Sequence, residues 1–235
     1  MTSKIEIVPY EDSMREAWMR THAIIMSLSH AWNYTIQERP AYPDHRSTRL
    51  VAMVNDTLAG LIDVQYENYP GELCYIKDEV GGYVMEFGRL PEFSGLGLGV
   101  ALMRAAAADA RRLGFRRLEY WTQDRTAQRF YRRLGLPEIA RHYRFRMRPP
   151  AELARQFQEQ GIAVEYLYAA CLPENWPLVE AGCEIIRDHP LEPHLCVGFR
   201  QDVPSSGDWT PPRASSDQQK TGSVTSQKWQ HRTAR

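Results

Sequence analysis

Apolar positions alternate or recur at helical spacing through most of the chain, and the pattern predicts a string of short strands and helices. Lys4 to Pro9 alternates, with Ile5 and Ile7 apolar, and predicts a first strand. Glu11 to Leu28 predicts a helix, with Met14, Ala17, Trp18, Ile24, Ile25 and Leu28 near helical spacing. A short second helix is expected around Trp32, Tyr34 and Ile36, before Pro40 and Pro43 break the chain. Thr48–Val54 and Leu58–Tyr66 flank Asn55-Asp56, a hairpin signal. Cys74–Ile76 reads as a short strand and Gly82–Leu90 as a longer one. Val100–Leu113 is alanine-rich, free of breakers and closed by Gly114, so it predicts a helix. Arg117–Thr122 follows as a strand, Thr126–Leu134 as a helix closed by Gly135, and Ile139–Met147 as a strand ahead of Pro149-Pro150. Beyond these prolines, residues 151–160 read as a helix, and Ile162–Cys171 and His194–Arg200 as two more strands. From Gln201 apolar residues thin out, and 201–235 reads as a disordered tail in which Trp209 and Trp229 dock weakly at most.

Composition narrows the function classes. The chain has 235 residues, 43% of them apolar, which suits one domain with additions and excludes full-length disorder. No run of 18 apolar residues occurs, so no transmembrane helix is expected, and the N-terminal stretch shows no secretory signal. Lys+Arg and Asp+Glu each number 29, which excludes a strongly basic nucleic-acid or membrane-surface protein. The four cysteines form no CxxC pair and no disulfide framework, so a cytoplasmic location is expected. Charge is segregated: residues 51–100 hold eight acids against two bases, and residues 104–148 hold thirteen arginines against four acids. Either two solvated faces attract each other, or a cationic ligand meets the first stretch and a polyanionic one the second.

The chemistry centres on Ser94-Gly95-Leu96-Gly97-Leu98-Gly99-Val100, a glycine-rich turn between a strand and a helix. The first amides of a helix lack intrahelical acceptors, the helix dipole adds positive potential, and glycines let a ligand approach the backbone. Such a turn suits a pyrophosphate. A P-loop would need Gly-Lys-Ser/Thr, and the chain has Gly99-Val100. A dinucleotide site wants its glycines after the first strand, whereas several strands precede this turn. The segment from about Tyr83 to Leu136 resembles the GCN5-related N-acetyltransferase (GNAT) family: Gly97 and Gly99 match its Q/R-x-x-G-x-G/A signature, and Ala127, Phe130, Tyr131 and Gly135 match its A-x-x-F-Y-x-x-x-G segment.

The resemblance implies an α/β (α+β) GNAT fold, with a mixed, mostly antiparallel sheet splayed at a bulge and helices on both faces. It implies a GNAT domain over 1–148, with 149–200 as an extension that completes or packs on the sheet. The family ends with a hairpin, whereas the segment between Gly135 and Pro149 has room for one strand, so Ile162–Cys171 or His194–Arg200 would supply the missing partner. It implies acetyl-CoA as co-substrate, its diphosphate on Ser94, Gly95, Leu96, Gly97, Leu98, Gly99 and Val100 and its pantetheine arm along Phe87, Gly88, Arg89 and Asp124. Gly88 is the expected bulge. Tyr131 lines the same site and would return a proton to the leaving thiolate; Glu86 is the candidate general base, with Glu72, Asp78 and Glu79 as rivals. Trp32, Tyr34 and Glu72 would shape the acceptor pocket, with Trp18 there or in the core. Ser94 replaces the family's Gln or Arg, and Asp124 replaces an asparagine. The expected acceptor is a primary amine on a cationic small molecule or peptide. Alternatives are a non-catalytic acyl-CoA-binding regulatory protein and an acetyltransferase of an RNA-linked or protein acceptor. No metal is expected, since the spacing of Cys183, His189, His194 and Cys196 fits no zinc pattern. No membrane or nucleic-acid partner is expected, and a homodimer is compatible.

Overall fold

A computed structural model describes residues 4–29, 36–187 and 193–212. The elements are β1 (Ile5–Pro9), α1 (Arg15–Leu28), β2 (Ser47–Val54), β3 (Thr57–Tyr66), β4 (Gly82–Arg89), α2 (Leu98–Arg112), β5 (Arg117–Thr122), α3 (Arg125–Arg133), β6 (Glu138–Met147), α4 (Ala151–Glu159), β7 (Leu167–Cys171), α5 (Trp176–Gly182), β8 (Ile185–Ile186) and β9 (His194–Asp202). They form one sheet in the order β1-β2-β3-β4-β5-β9-β6-β7, with β8 also paired to β6. Every pairing is antiparallel except β4–β5, which is parallel.

Most residues of β3 are buried, because α1 covers one face of the sheet and α2 the other. This is why Leu58–Ile62 reads as a continuous apolar run rather than an alternating one. The α2 face carries the larger core: Leu98, Leu102, Met103, Ala106, Ala107 and Ala110 pack with Ala52, Ile62, Val64, Tyr120, Tyr131 and Phe199. The alanines let this helix lie close to the strands. The α1 face carries a smaller core of Trp18, Val51, Leu58 and Leu61. Trp18 is fully buried there, so it belongs to this core and does not cap a pocket. Asn55 closes the β2–β3 hairpin with a positive φ of 53°, a conformation asparagine tolerates.

The parallel pairing of β4 with β5 is short. Gly82 pairs with Leu118 and Tyr83 with Glu119, and no pairing continues past these. Just beyond, β4 carries one extra residue against β3: Asp63 faces Glu86 and Val64 faces Val84, leaving Met85 as the bulge. The bulge therefore lies at Met85 and not at the expected Gly88. Gly88 is small for a different reason, since a Cβ there would meet Ile25 Cγ2 of α1 at 2.5 Å. The two strands part beyond Tyr83 and split the sheet.

Several other expectations change. Cys74–Ile76 is not a strand but lies in the loop before β4. The strand expected over Ile162–Cys171 shortens to Leu167–Cys171. Helix α5 and strand β8 were not anticipated. The helix expected around Trp32 and Tyr34 falls on residues outside the described ones. Past the expected boundary at 201, β9 continues to Asp202 and Trp209 is buried in the α2-face core. Among the described residues, no helix is long and apolar enough to cross a membrane.

Candidate active site

The glycine turn sits at one rim of the split. Gly95 and Gly97 adopt φ of 82° and 76°, which side chains with a Cβ rarely take. A Cβ at either would meet nothing within 4 Å, so the turn is an open cradle. The first main-chain bond of α2 runs from the Ala101 N–H to the Gly97 carbonyl, so the amides before Ala101 point outward from the helix start. No acid lies in the first turn. This is the geometry that receives an anion. Arg89, at the end of β4, adds a cation: its Nη2 donates to Ser94 Oγ at 2.9 Å and its Nη1 to the Leu90 carbonyl at 3.1 Å. Leu96 is exposed, Leu98 is buried under the turn, and Val100 packs against the core.

On the α2 face of the split, Phe87 bridges the turn to Tyr131. A Cβ on Gly99 would approach Phe130 Cζ at 3.0 Å and Phe87 Cζ at 3.6 Å. The Phe87 ring lies 6.2 Å from the Phe130 and Tyr131 rings, and Tyr131 also packs 5.1 Å from Tyr120 and Phe199. Tyr131 is 4% exposed, and its hydroxyl makes no hydrogen bond among the described residues. Burial, with the Asp124 charge adding to it, holds its phenol well above the ordinary value. Asp124 caps α3: its Oδ1 accepts the Thr126 N–H at 2.6 Å. The acid at the family's asparagine position thus has a local use.

On the opposite, α1 face stands Glu86. Its Oε2 is 2.9 Å from His22 Nε2, with side-chain exposures of 10% and 4%. Directly across the β3–β4 pairing lies buried Asp63, paired with Arg39. Burial is the main cause that pushes Asp63 up to about 6, with the Arg39 charge opposing it. Arg39 in turn lies 4.0 Å over the Tyr10 ring and 5.0 Å over Trp18. On β5, Trp121 is on this same face, edge-on to Tyr75 at 5.7 Å and tilted against His142 at 5.6 Å.

The structure brings Glu86, Phe87, Gly88, Arg89, the 94–100 turn, Asp124 and Tyr131 to the split. Glu72 is elsewhere, on the loop before β4, where the Asn68 N–H at 2.8 Å and His45 at 3.2 Å engage it. Partial burial raises its carboxyl, but these partners outweigh that and leave it lowered. Trp32 and Tyr34 lie outside the described residues. The acidity of residues 51–100 is largely committed internally: Glu67 accepts the amides of Leu73, Cys74 and Gly81, and Asp63 and Glu86 have the partners above. The arginine-rich stretch is partly committed too, since buried Arg117 lies between Glu67 and Glu119. Sequence reasoning missed His22, Asp63, Arg39 and Trp121. The only signal for His22 was its place four residues after Trp18 on a helix face otherwise read for apolar spacing. Among the described residues no group of three His, Cys, Asp or Glu could hold a metal ion.

The comparisons agree with this architecture. The Acetyltransferase (GNAT) family matches residues 11–136. No curated protein matches the chain. Among solved structures, a tandem GNAT protein from the clavulanic acid biosynthesis pathway is similar at 13% identity and TM-score 0.56, covering 87% of this chain and 100% of that one. The ribosomal-protein-S18-alanine N-acetyltransferase from Escherichia coli is similar at 12% identity and TM-score 0.47, covering 87% and 97%. Arabidopsis thaliana Naa50, in complex with the bisubstrate analogue CoA-Ac-MVNAL, is similar at 12% identity and TM-score 0.45, covering 84% and 97%.

Proposed function

Because the chain belongs to the GNAT acetyltransferase family, we propose that it moves an acetyl group from acetyl-CoA to a primary amine of a small molecule or peptide. One observation carries this reading: the sheet splits past Tyr83 and Glu119, with an open glycine cradle at its rim, Tyr131 on one face and Glu86 on the other. The cradle and Arg89 fit a diphosphate. The split gives the pantetheine arm unpaired β4 backbone to lie along, and Asp124, at the start of α3, lies close enough to Tyr131 to raise it. When bound, acetyl-CoA supplies an activated acyl carbon. The chain positions it and manages protons.

Glu86 takes a proton from the acceptor ammonium, directly or through a water. The freed lone pair forms the nitrogen–carbon bond as the carbon–sulfur bond breaks. Tyr131 delivers its proton to the departing sulfur and regains one from the nitrogen as the amide forms. Burial keeps the phenol protonated until a thiolate forms beside it. The acceptor enters from the α1 face, past the aromatic wall of Tyr75 and Trp121, which suits an amine with an apolar or aromatic body. The commitment of Asp63, Glu67 and Glu72 to internal partners leaves little reason to require further positive charge on it.

The test is release of CoA thiol from acetyl-CoA across a panel of aryl-alkyl amines, polyamines and peptide N-termini. Tyr131→Phe is expected to lower turnover by about a hundredfold or more, with CoA affinity unchanged by calorimetry. Release indifferent to every amine, with CoA still bound, would favour an acyl-CoA-binding protein without chemistry. Undiminished turnover in Tyr131→Phe would remove the phenol from the mechanism.

A further inference from the structure

We infer that His22 is the positioning residue for Glu86: its Nε2–H holds one carboxylate oxygen and leaves the other for the acceptor's proton. This rests on reading Glu86 as the base. The His22 ring is itself fixed, stacked on fully buried Trp18 at 4.9 Å and 10°. The helix that carries it is pinned on both sides. The neighbouring Thr21 Oγ1 donates to the Leu58 carbonyl at 2.9 Å, and Ile25, one turn on, fills the space where Gly88 lacks a Cβ. The ring therefore has one orientation, with Nε2 aimed at Glu86 Oε2 at 2.9 Å.

The direction of that bond follows from chemistry. An ionised carboxylate only accepts, so Nε2 carries the hydrogen whenever Glu86 is ready to act as a base. The pair is almost sealed from water, so the bond is not screened. Glu86 Oε1 has no hydrogen bond among the described residues, which makes it the oxygen that takes the ammonium proton. Replacing such a buried polar pair by apolar side chains is commonly neutral or stabilising, so packing alone gives no reason for a histidine here.

The charged and titratable neighbours set the sign of the effect. Asp63 faces Glu86 from β3; Arg39 is bound to Asp63, and Arg49 on β2 also acts on Asp63. Glu119, on the same face of β5, is occupied by the Tyr75 and Ile76 amides and by Arg117. With His22 gone, Glu86 would keep the Asp63 carboxylate beside it and lose its own donor. Protonation would then be easier, and activity would appear only at higher pH.

Two measurements test this on the full-length protein. The first needs no acceptor. In 15N-histidine-labelled protein at neutral pH, the His22 signal, assigned by its loss in His22→Gln, should show a protonated Nε2; an unprotonated Nε2 overturns the proposal. The second uses acetyl-CoA and the best amine from the panel. His22→Phe keeps a ring on Trp18 but no donor. It should lower kcat by about tenfold or more and move the acid limb of kcat/KM up by about one pH unit, with KM for acetyl-CoA unchanged. His22→Gln keeps a donor and should recover most of kcat and the wild-type acid limb. A wild-type acid limb in His22→Phe overturns the proposal, as does a His22→Gln protein as impaired as His22→Phe. Should His22→Phe not fold, the tautomer and the His22→Gln profile decide. Glu86→Gln separates the two readings. Inactive Glu86→Gln beside an unaffected His22→Phe sinks the positioning role and keeps the base, whereas a fully active Glu86→Gln sinks both.

Discussion

Ser94 stands where the family signature carries a glutamine or arginine, and Arg89, five residues upstream, brings a guanidinium to the same place. Its guanidinium reaches Ser94 Oγ, so a cation still borders the glycine turn. Arg89→Met is expected to weaken acetyl-CoA binding by about tenfold while leaving acetyl-pantetheine, which lacks the diphosphate, unaffected; calorimetry with both ligands checks this. Asp63 makes a different kind of prediction. Its carboxyl is raised from 3.8 to about 6, chiefly by burial, so the folded protein holds this proton more tightly than the unfolded chain. The stabilisation is complete below the unfolded value and is lost as pH rises through the folded one. Asp63→Asn removes the slope. The unfolding free energy of the variant minus that of wild type should rise on the order of 2 kcal/mol between about pH 4 and pH 7, read from urea midpoints across that range. The open glycine turn before α2 and the buried place of Tyr131 were legible in the sequence because both are set by spacing within single elements. The His22–Glu86 pair joins residues 64 apart, and Arg39 reaches Asp63 from a segment with no regular pattern, so no local signal announced either.

At the scale of elements, the loop before β4 shows why an apolar triplet misled. Cys74, Tyr75 and Ile76 look like a short strand, but the amides there are taken by carboxylates: Cys74 and its neighbour Leu73 by Glu67, Tyr75 and Ile76 by Glu119. Side-chain acceptors satisfy the backbone that a neighbouring strand would otherwise satisfy. Buried Arg117 lies between the two acids and also donates to the Glu79 carbonyl at 2.7 Å. Arg117→Met should cost about 3–5 kcal/mol of stability, because it leaves Glu67 and Glu119 as uncompensated buried charges. A thermal melt should show it, and a melting temperature within a degree or two of wild type would contradict the clamp. Helix α1 was legible as a helix, but the residue on it considered for the pocket was Trp18, which lies in the core, and not His22. Its inner face mixes Trp18 with Thr21 and His22, whereas Leu28, counted as apolar spacing, is exposed. Polar residues at buried helix positions are what a search for apolar periodicity discards.

For the whole molecule, the decisive feature is that the split sheet must be held together away from the split. The parallel contact of β4 with β5 spans two residue pairs, whereas β9 pairs with β5 along Arg117–Thr122 and with β6 along Glu138–Arg144. Strand β9 arrives after α4, β7, α5 and β8, so the strand that flanks the site element β5 comes from the far end of the chain. Its apolar residues Val197 and Phe199 enter the same core as Tyr131. The segment after it returns to the α2 face, where Trp209 is buried and its carbonyl accepts from Arg104 Nε at 3.2 Å. The sparse apolar content after Gln201 hid this, because one large aromatic can dock a segment that composition alone reads as disordered. Two cuts of the chain separate the contributions. Ending it at Pro150 removes β9, exposes the inner edge of β5, takes Val197, Phe199, Val203 and Trp209 out of the core that holds Tyr131, and should abolish the cooperative thermal transition. Ending it after Pro212 should leave that transition within a few degrees of the full-length protein, and Trp209→Ala, in the full-length chain or in the one ending at Pro212, should cost about 3–5 kcal/mol. A chain ending at Pro150 that melts cooperatively and still binds acetyl-CoA would mean that β5 and the site are held by residues 1–150 alone.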